Sequence, residues 1–119
     1  MRWPALLSYQ GDNELVYIAN QSAWELDPDL QSPHFDEGDR VIDSNGQVHR
    51  PVESCSGMQL EETDELCSLD RMIALVQAHM FEQAGATCVS KIAAPNIDKL
   101  MAMMEAMDEY DQSQKTAVK

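Results

Sequence analysis

The residues of this 119-residue chain with most capacity for chemistry are three histidines, three cysteines and a run of methionines. His34 is followed by Asp36 and Asp39, and imidazole with carboxylates is a workable metal-ligand set. The spacing matches no defined metal motif, and a solvated loop accounts for it equally well. His79 stands three residues after Val76 in a strongly apolar stretch. An imidazole there serves either as a general base or as a hydrogen-bonded group at the edge of the core. No nucleophile lies beside it in the sequence. Cys67 immediately precedes that stretch. A helix end would favour its thiolate, but Asp64, Glu65 and Asp70 oppose it, so Cys–His catalysis is not expected.

Four methionines fall between 101 and 107. Thioethers can hold soft ions such as Cu(I), fill a core adaptably, or, exposed together, form a partner-binding face. Met104 and Met107 occupy core positions of a helical pattern without Cys or His beside them, which favours packing. Met101, Met103 and Met107 are the candidates for an exposed face. The chain has no glycine-rich phosphate loop, Cys-x-x-Cys pair or His-Glu-x-x-His helix, and no cofactor is expected.

Charge narrows the range of partners. The formal net charge is −13, with 21 acids against 8 bases. Nucleic-acid backbones and anionic lipid surfaces are recognised by basic residues, so neither is an expected partner. Glu61, Glu62, Asp64 and Glu65 form the densest acidic group. Their two readings are a solvated face that maintains solubility and a docking surface for a basic protein. Phe81 is either a lone exposed ring or a partner anchor, and isolated surface rings are common. Trp24 reads as a plug at the core edge, with ligand stacking as the alternative. There is no secretory leader pattern and no stretch apolar enough to cross a bilayer. The cysteines are odd in number and irregularly spaced, so a reducing cytoplasm is the expected compartment.

The elements that must position these residues follow from periodicity. Positions 3–9 and 14–19 read as a hairpin around a Gln-Gly-Asp-Asn turn. Pro28 and Pro33 restrict 20–37 to short elements, with Asn20 or Ser22 as a cap. Positions 39–43 and 47–50 flank Ser-Asn-Gly, a second hairpin signal, in which Asn and Gly tolerate positive φ. Val41 and Val48 should face the core, Ile42 should point outward or mark a bulge, and Pro51 should end the second arm. A weak strand at 58–61 and an acidic turn at 62–67 lead into an amphipathic helix, 68–87, capped by Ser68 and closed by Gly85. A strand at 87–91 would make the unit β-α-β with a parallel pair. A second helix opens at Asn96. The fold expected is α+β: two N-terminal β-hairpins, then a β-α-β-α unit, one mixed sheet covered by two main helices. Residues 1–110 should form one domain, and 111–119 a disordered acidic-to-basic tail.

The stretch SLDRMIALVQAHMFEQAGATCVSKIAAPNI, with the opening RWPALLSYQGDNELVYIA, resembles a family of small uncharacterised acidic proteins, a domain of unknown function, from marine gamma-proteobacteria. The likeness covers the chain to about Tyr110. It implies a bacterial cytoplasmic setting and a single domain. It assigns no activity, and no residue acquires a role from it. The residues themselves favour a non-enzymatic binding or protein-interaction domain. The alternative is a small-molecule-binding domain or minor enzyme with a cleft near His79, Trp24 and the 34–39 loop. A homodimer through the methionine face or a strand edge is a third expectation.

Overall fold

The computed structural model describes residues 1–32, 34–84 and 93–117. Five strands, β1 (Ala5–Ser8), β2 (Leu15–Ile18), β3 (Arg40–Asp43), β4 (Gln47–Ser54) and β5 (Gly57–Leu66), form one sheet in the order β2-β1-β3-β4-β5. All the described pairings are antiparallel. Two short helices, α1 (Gln21–Leu26) and α2 (Pro28–Gln31), interrupt the strands, and two long ones, α3 (Leu69–Ala84) and α4 (Ile97–Ala117), follow them. This is the expected α+β arrangement with both N-terminal hairpins present. The 87–91 strand, and with it the parallel β-α-β pair, lies outside the described residues.

The sheet is covered on both faces, which explains the continuous apolar runs in its strands. On one face Leu6, Ile42 and Val48 meet Met72 and Val76 of α3 and Leu100 of α4. On the other, Ala5, Leu7, Val41 and Met58 meet Trp24 of α1 and Leu30 of α2. Ile42 is therefore buried at 4 % exposure, not directed outward, because a strand covered on both sides has no solvent face. Burying side chains such as Leu6, Leu7 and Val76 stabilises by roughly 1.5–3 kcal/mol each.

Local signals set the boundaries. Ser68 Oγ accepts from the Arg71 amide at 3.2 Å, Asn96 Oδ1 from Lys99 at 2.9 Å, and Asn20 Oδ1 from Ala23 at 2.8 Å. Each satisfies an orphan donor of a helix first turn. Asp27 caps α2 in the same way, with Pro28 at its start.

Other boundaries differ from expectation. β4 runs through Pro51 to Ser54. Beyond Arg50 its paired neighbour is β5, so the missing proline N–H removes no bond to β3. The expected acidic turn at 62–67 is instead the second half of β5. There Gln47 faces Leu66 while His49 faces Glu62, so β5 carries two extra residues in a bulge. Gln47 Nε2 donates to the carbonyls of Thr63 and Glu65, and Thr63 Oγ1 donates to the Val48 carbonyl at 2.7 Å. These bonds keep the stretch in the sheet. The backbone of α4 continues to Ala117 through the segment expected to be a tail. Asp111 to Ala117 contains no glycine or proline to stop it.

Candidate functional site

The β3–β4 turn builds an unusual polar centre. Three residues separate the strands, Gly46 N–H donates to the Asp43 carbonyl at 3.0 Å, and Gly46 has φ 81°. That is a three-residue hairpin with glycine at the left-handed position. Gly46 alone carries the positive φ; Asn45 does not.

Asp43 is 1 % exposed and His49 3 % exposed. Asp43 Oδ1 accepts from the amides of Asn45 (2.8 Å) and Gln47 (3.0 Å), and Oδ2 from the amide of Arg2 (3.3 Å) and from His49 Nε2 (3.0 Å). Burial alone would raise the Asp43 pKa. The bonds from His49 and the three amides outweigh it and hold the carboxyl below its ordinary value. An ionised carboxylate only accepts, so Nε2 carries the proton toward Asp43. His49 Nδ1 has no hydrogen-bond partner among the described residues. Arg50 Nε is the buried side-chain polar atom found without a partner there, so Nδ1 is not sealed.

His49 opens onto a cavity of about 830 Å³ between α1–α2 and the β4–β5 half of the sheet. Trp24, Glu25, Gln31, Leu60 and Glu62 form much of its wall, and no Lys or Arg lines it. The short helices are fixed to the strands there by Met58. Its N–H donates to Gln31 Oε1 at 3.0 Å, and its carbonyl accepts from Trp24 Nε1 at 3.2 Å. An aspartate-held imidazole has the form of a general base. The hydroxyl lining this cavity, Ser56, lies past Ser54 in the β4–β5 turn. Five strand residues from His49 to Ser54 span about 17 Å, so Ser56 is out of the imidazole's reach, and the nearer Ser44 donates its hydroxyl to the Pro4 carbonyl at 2.7 Å.

The residues singled out from sequence are distributed as follows. Trp24 and the 34–39 loop do come together: the Trp24 and Phe35 rings stack at 6.1 Å, and His34 lies 4.2 Å from Phe35. His79 does not join them. Its Nδ1 accepts from the Leu15 amide at 3.0 Å, on the α3 side of the sheet. The composite cleft of His79, Trp24 and the 34–39 loop is thus not formed, because the two parts lie on opposite faces. His34 is exposed and engages Tyr9 Oη and Ser32 through its two nitrogens. Asp36 is exposed, and its amide, with that of Gln10, donates to the buried carboxylate of Asp39.

Glu61, Glu62, Asp64 and Glu65 are all exposed along β5, and Glu61 pairs with Arg50 at 2.9 Å. Phe81 is 60 % exposed. Met101 is buried at 2 % exposure, and Met103 and Met107 pack half-buried against the α3–α4 core. The exposed methionine face is therefore not formed. The broad apolar side of α4 lies against α3 and the sheet, which takes away the surface expected for a methionine-mediated dimer. His49 carried no sequence signal of its own. The signal available was Asp43 and His49 flanking a Ser-Asn-Gly turn, which places them on one face once the register is known.

Among the described residues no helix is long and apolar enough to cross a membrane. A family model described as a protein structure with unknown function matches residues 3–104. No curated protein matches the chain. A solved structure, the NMR structure of a protein from Shewanella amazonensis, is similar at 25 % identity and a TM-score of 0.62, covering 89 % of each chain.

Proposed function

This chain belongs to the DUF4144 family, and from a family that brings no assigned chemistry with it we propose a binding domain, not an enzyme, that takes a positively charged group of a protein partner into the α1–α2 cavity. The observation that supports this reading is the lining of the cavity. It contains Glu25, Glu62 and His49 beside Met1, and no Lys or Arg side chain, in a chain of net charge −13. A lysine or arginine side chain entering there meets two carboxylates and the apolar flanks of Met58 and Leu60. Exposed Glu61, Asp64 and Glu65 extend the negative field along β5 and would steer a basic surface toward the mouth.

The same charge disfavours nucleic acid and anionic lipid as partners. The free thiols of Cys55 and Cys67 suit a reducing cytoplasm. A small organic amine is the alternative occupant of the same cavity.

Titration calorimetry with a short Lys/Arg-rich peptide, its Glu-rich counterpart and free arginine amide tests the proposal. Binding of the basic peptide should weaken with salt and fall about tenfold when Glu25→Gln and Glu62→Gln are combined. Equal binding of the two peptides, or affinity indifferent to that double substitution, would sink it. Arginine amide alone matching the peptide would select the small-amine version.

A further inference from the structure

A second cavity, about 440 Å³, lies on the α3 side of the sheet, where the β1–β2 turn, the start of β3 and the start of α3 meet. Its floor is apolar, from Ile42, Val48, Cys67 and Leu75, and its wall carries Arg40 and Arg71. The chain has four arginines. Arg2 is ion-paired with Asp98 and Arg50 with Glu61. The two arginines that reach no carboxylate among the described residues are the two that line this cavity.

Neither guanidinium has an ion-pair partner among the described residues. Arg40 donates through Nη1 to the backbone carbonyls of Glu37 and Asp39, which fixes the side chain without neutralising it and leaves its other nitrogens available. Arg71 sits in the first turn of α3, its amide on Ser68 Oγ, where the helix dipole adds partial positive charge. Its guanidinium forms no hydrogen bond or ion pair among the described residues. Asp12 and Glu65 also line the cavity, but Asp12 Oδ1 is engaged by the Glu14 amide, and neither carboxylate pairs with an arginine. In a chain with 21 acids against 8 bases, two guanidinium groups without an ion-pair partner among the described residues stand at one concavity, which Asp12 and Glu65 also line.

We propose that this cavity is a binding site for a small oxyanion, a carboxylate or phosphate group, held between the guanidinium of Arg40 on β3 and that of Arg71 on α3. Planar guanidinium groups match both oxyanions through paired N–H donors, and the apolar floor accommodates a short carbon skeleton carrying the group. The site lies across the sheet from the α1–α2 cavity and stands independently of the function proposed there.

Amide chemical-shift titrations with inorganic phosphate and with malonate, at ionic strength held constant with sodium chloride, test it. The protein as a whole repels anions, so non-specific attraction works against a positive result. Saturable shifts at millimolar anion, confined to the 9–13 turn, the start of β3 and the start of α3, are expected. Arg40→Gln and Arg71→Gln should each weaken binding about tenfold, while Arg50→Gln leaves it unchanged. The tighter of the two anions identifies the group the site prefers. Absence of saturable shifts with both anions, or unchanged affinity in both glutamine variants, overturns the proposal. Arg71 is exposed, so its variant keeps the test decisive if Arg40→Gln fails to fold.

Discussion

The Asp43 carboxylate lies 3.0 Å from the His49 imidazole across the β3–β4 turn, each side chain under 5 % exposed. Asp43 is the more connected partner, because three backbone amides share its oxygens. Removing it leaves a buried imidazole and three amides without their acceptor, whereas removing His49 leaves Asp43 with its amide bonds. Asp43→Ala should therefore lose about 3 kcal/mol of unfolding free energy, and His49→Leu about 1–2 kcal/mol. Urea denaturation followed by tryptophan fluorescence checks the order as well as the sizes, and a larger loss for His49→Leu would contradict this account of the turn.

The same pair sets an acid dependence. The Asp43 pKa in the folded chain lies below its ordinary 3.8, since hydrogen bonds from His49 and the amides overcome the opposing effect of burial. A folded-state pKa below the unfolded one contributes stability that is present above the unfolded value and lost as pH falls through the folded one. Stability should thus decline on acidification below the ordinary carboxylate range, and Asp43→Asn should show a shallower decline there. Urea midpoints taken across that acid range for both proteins measure the difference; parallel curves would rule Asp43 out as a source of the slope.

Gly46 is constrained twice. Its φ of 81° disfavours any side chain, and an added Cβ would meet the Cys67 carbonyl oxygen at 2.6 Å. That contact cannot relax cheaply, because the Cys67 amide is itself bonded to the Gly46 carbonyl at 2.7 Å. Gly46→Ala should cost about 2 kcal/mol or more, seen as a lowered urea midpoint with an unchanged slope. A neutral substitution would mean that the turn moves freely relative to the start of α3.

The thiols should differ in reactivity. Burial pushes the Cys67 thiol up in pKa, against the weaker opposite influence of Arg71, while Cys55 is exposed. Since the thiolate is the reactive form, brief alkylation of the native protein followed by peptide mass spectrometry should label Cys55 rapidly and Cys67 only after denaturant is added. Equal labelling of both in native buffer would place Cys67 at the surface.

Much of this architecture is legible from the sequence, for reasons tied to particular residues. Asn45-Gly46 marks the second hairpin, because a tight turn requires a left-handed residue. Ser68 and Asn96 mark the starts of α3 and α4, because helix first turns need acceptors. Other features depend on partners distant in the chain. Ile42 could not be assigned inward until both faces of β3 were known to be covered. The continuation of β5 through its acids rests on the side chains of Gln47 and Thr63, which stand on different strands. The Asp43–His49 pair and the gathering of Arg40 with Arg71 are products of register and packing. The placement of Asp43 and His49 on either side of the Ser-Asn-Gly turn is informative only once the register is known, and the sequence directed attention to His79, whose ring serves the Leu15 amide instead.

The bonds that fix Met58 also bear on how the sheet ends. Both backbone groups of Met58 are taken by side chains of the short helices, Gln31 on the N–H and Trp24 on the carbonyl. A strand arriving from another molecule would find no ladder partner at that position. Farther along, the bulge twists the backbone and the exposed carboxylates repel a second copy of the same acidic strand. The outermost long strand is thereby protected against lateral growth into larger sheets, by capping at its start and by distortion and charge toward its end.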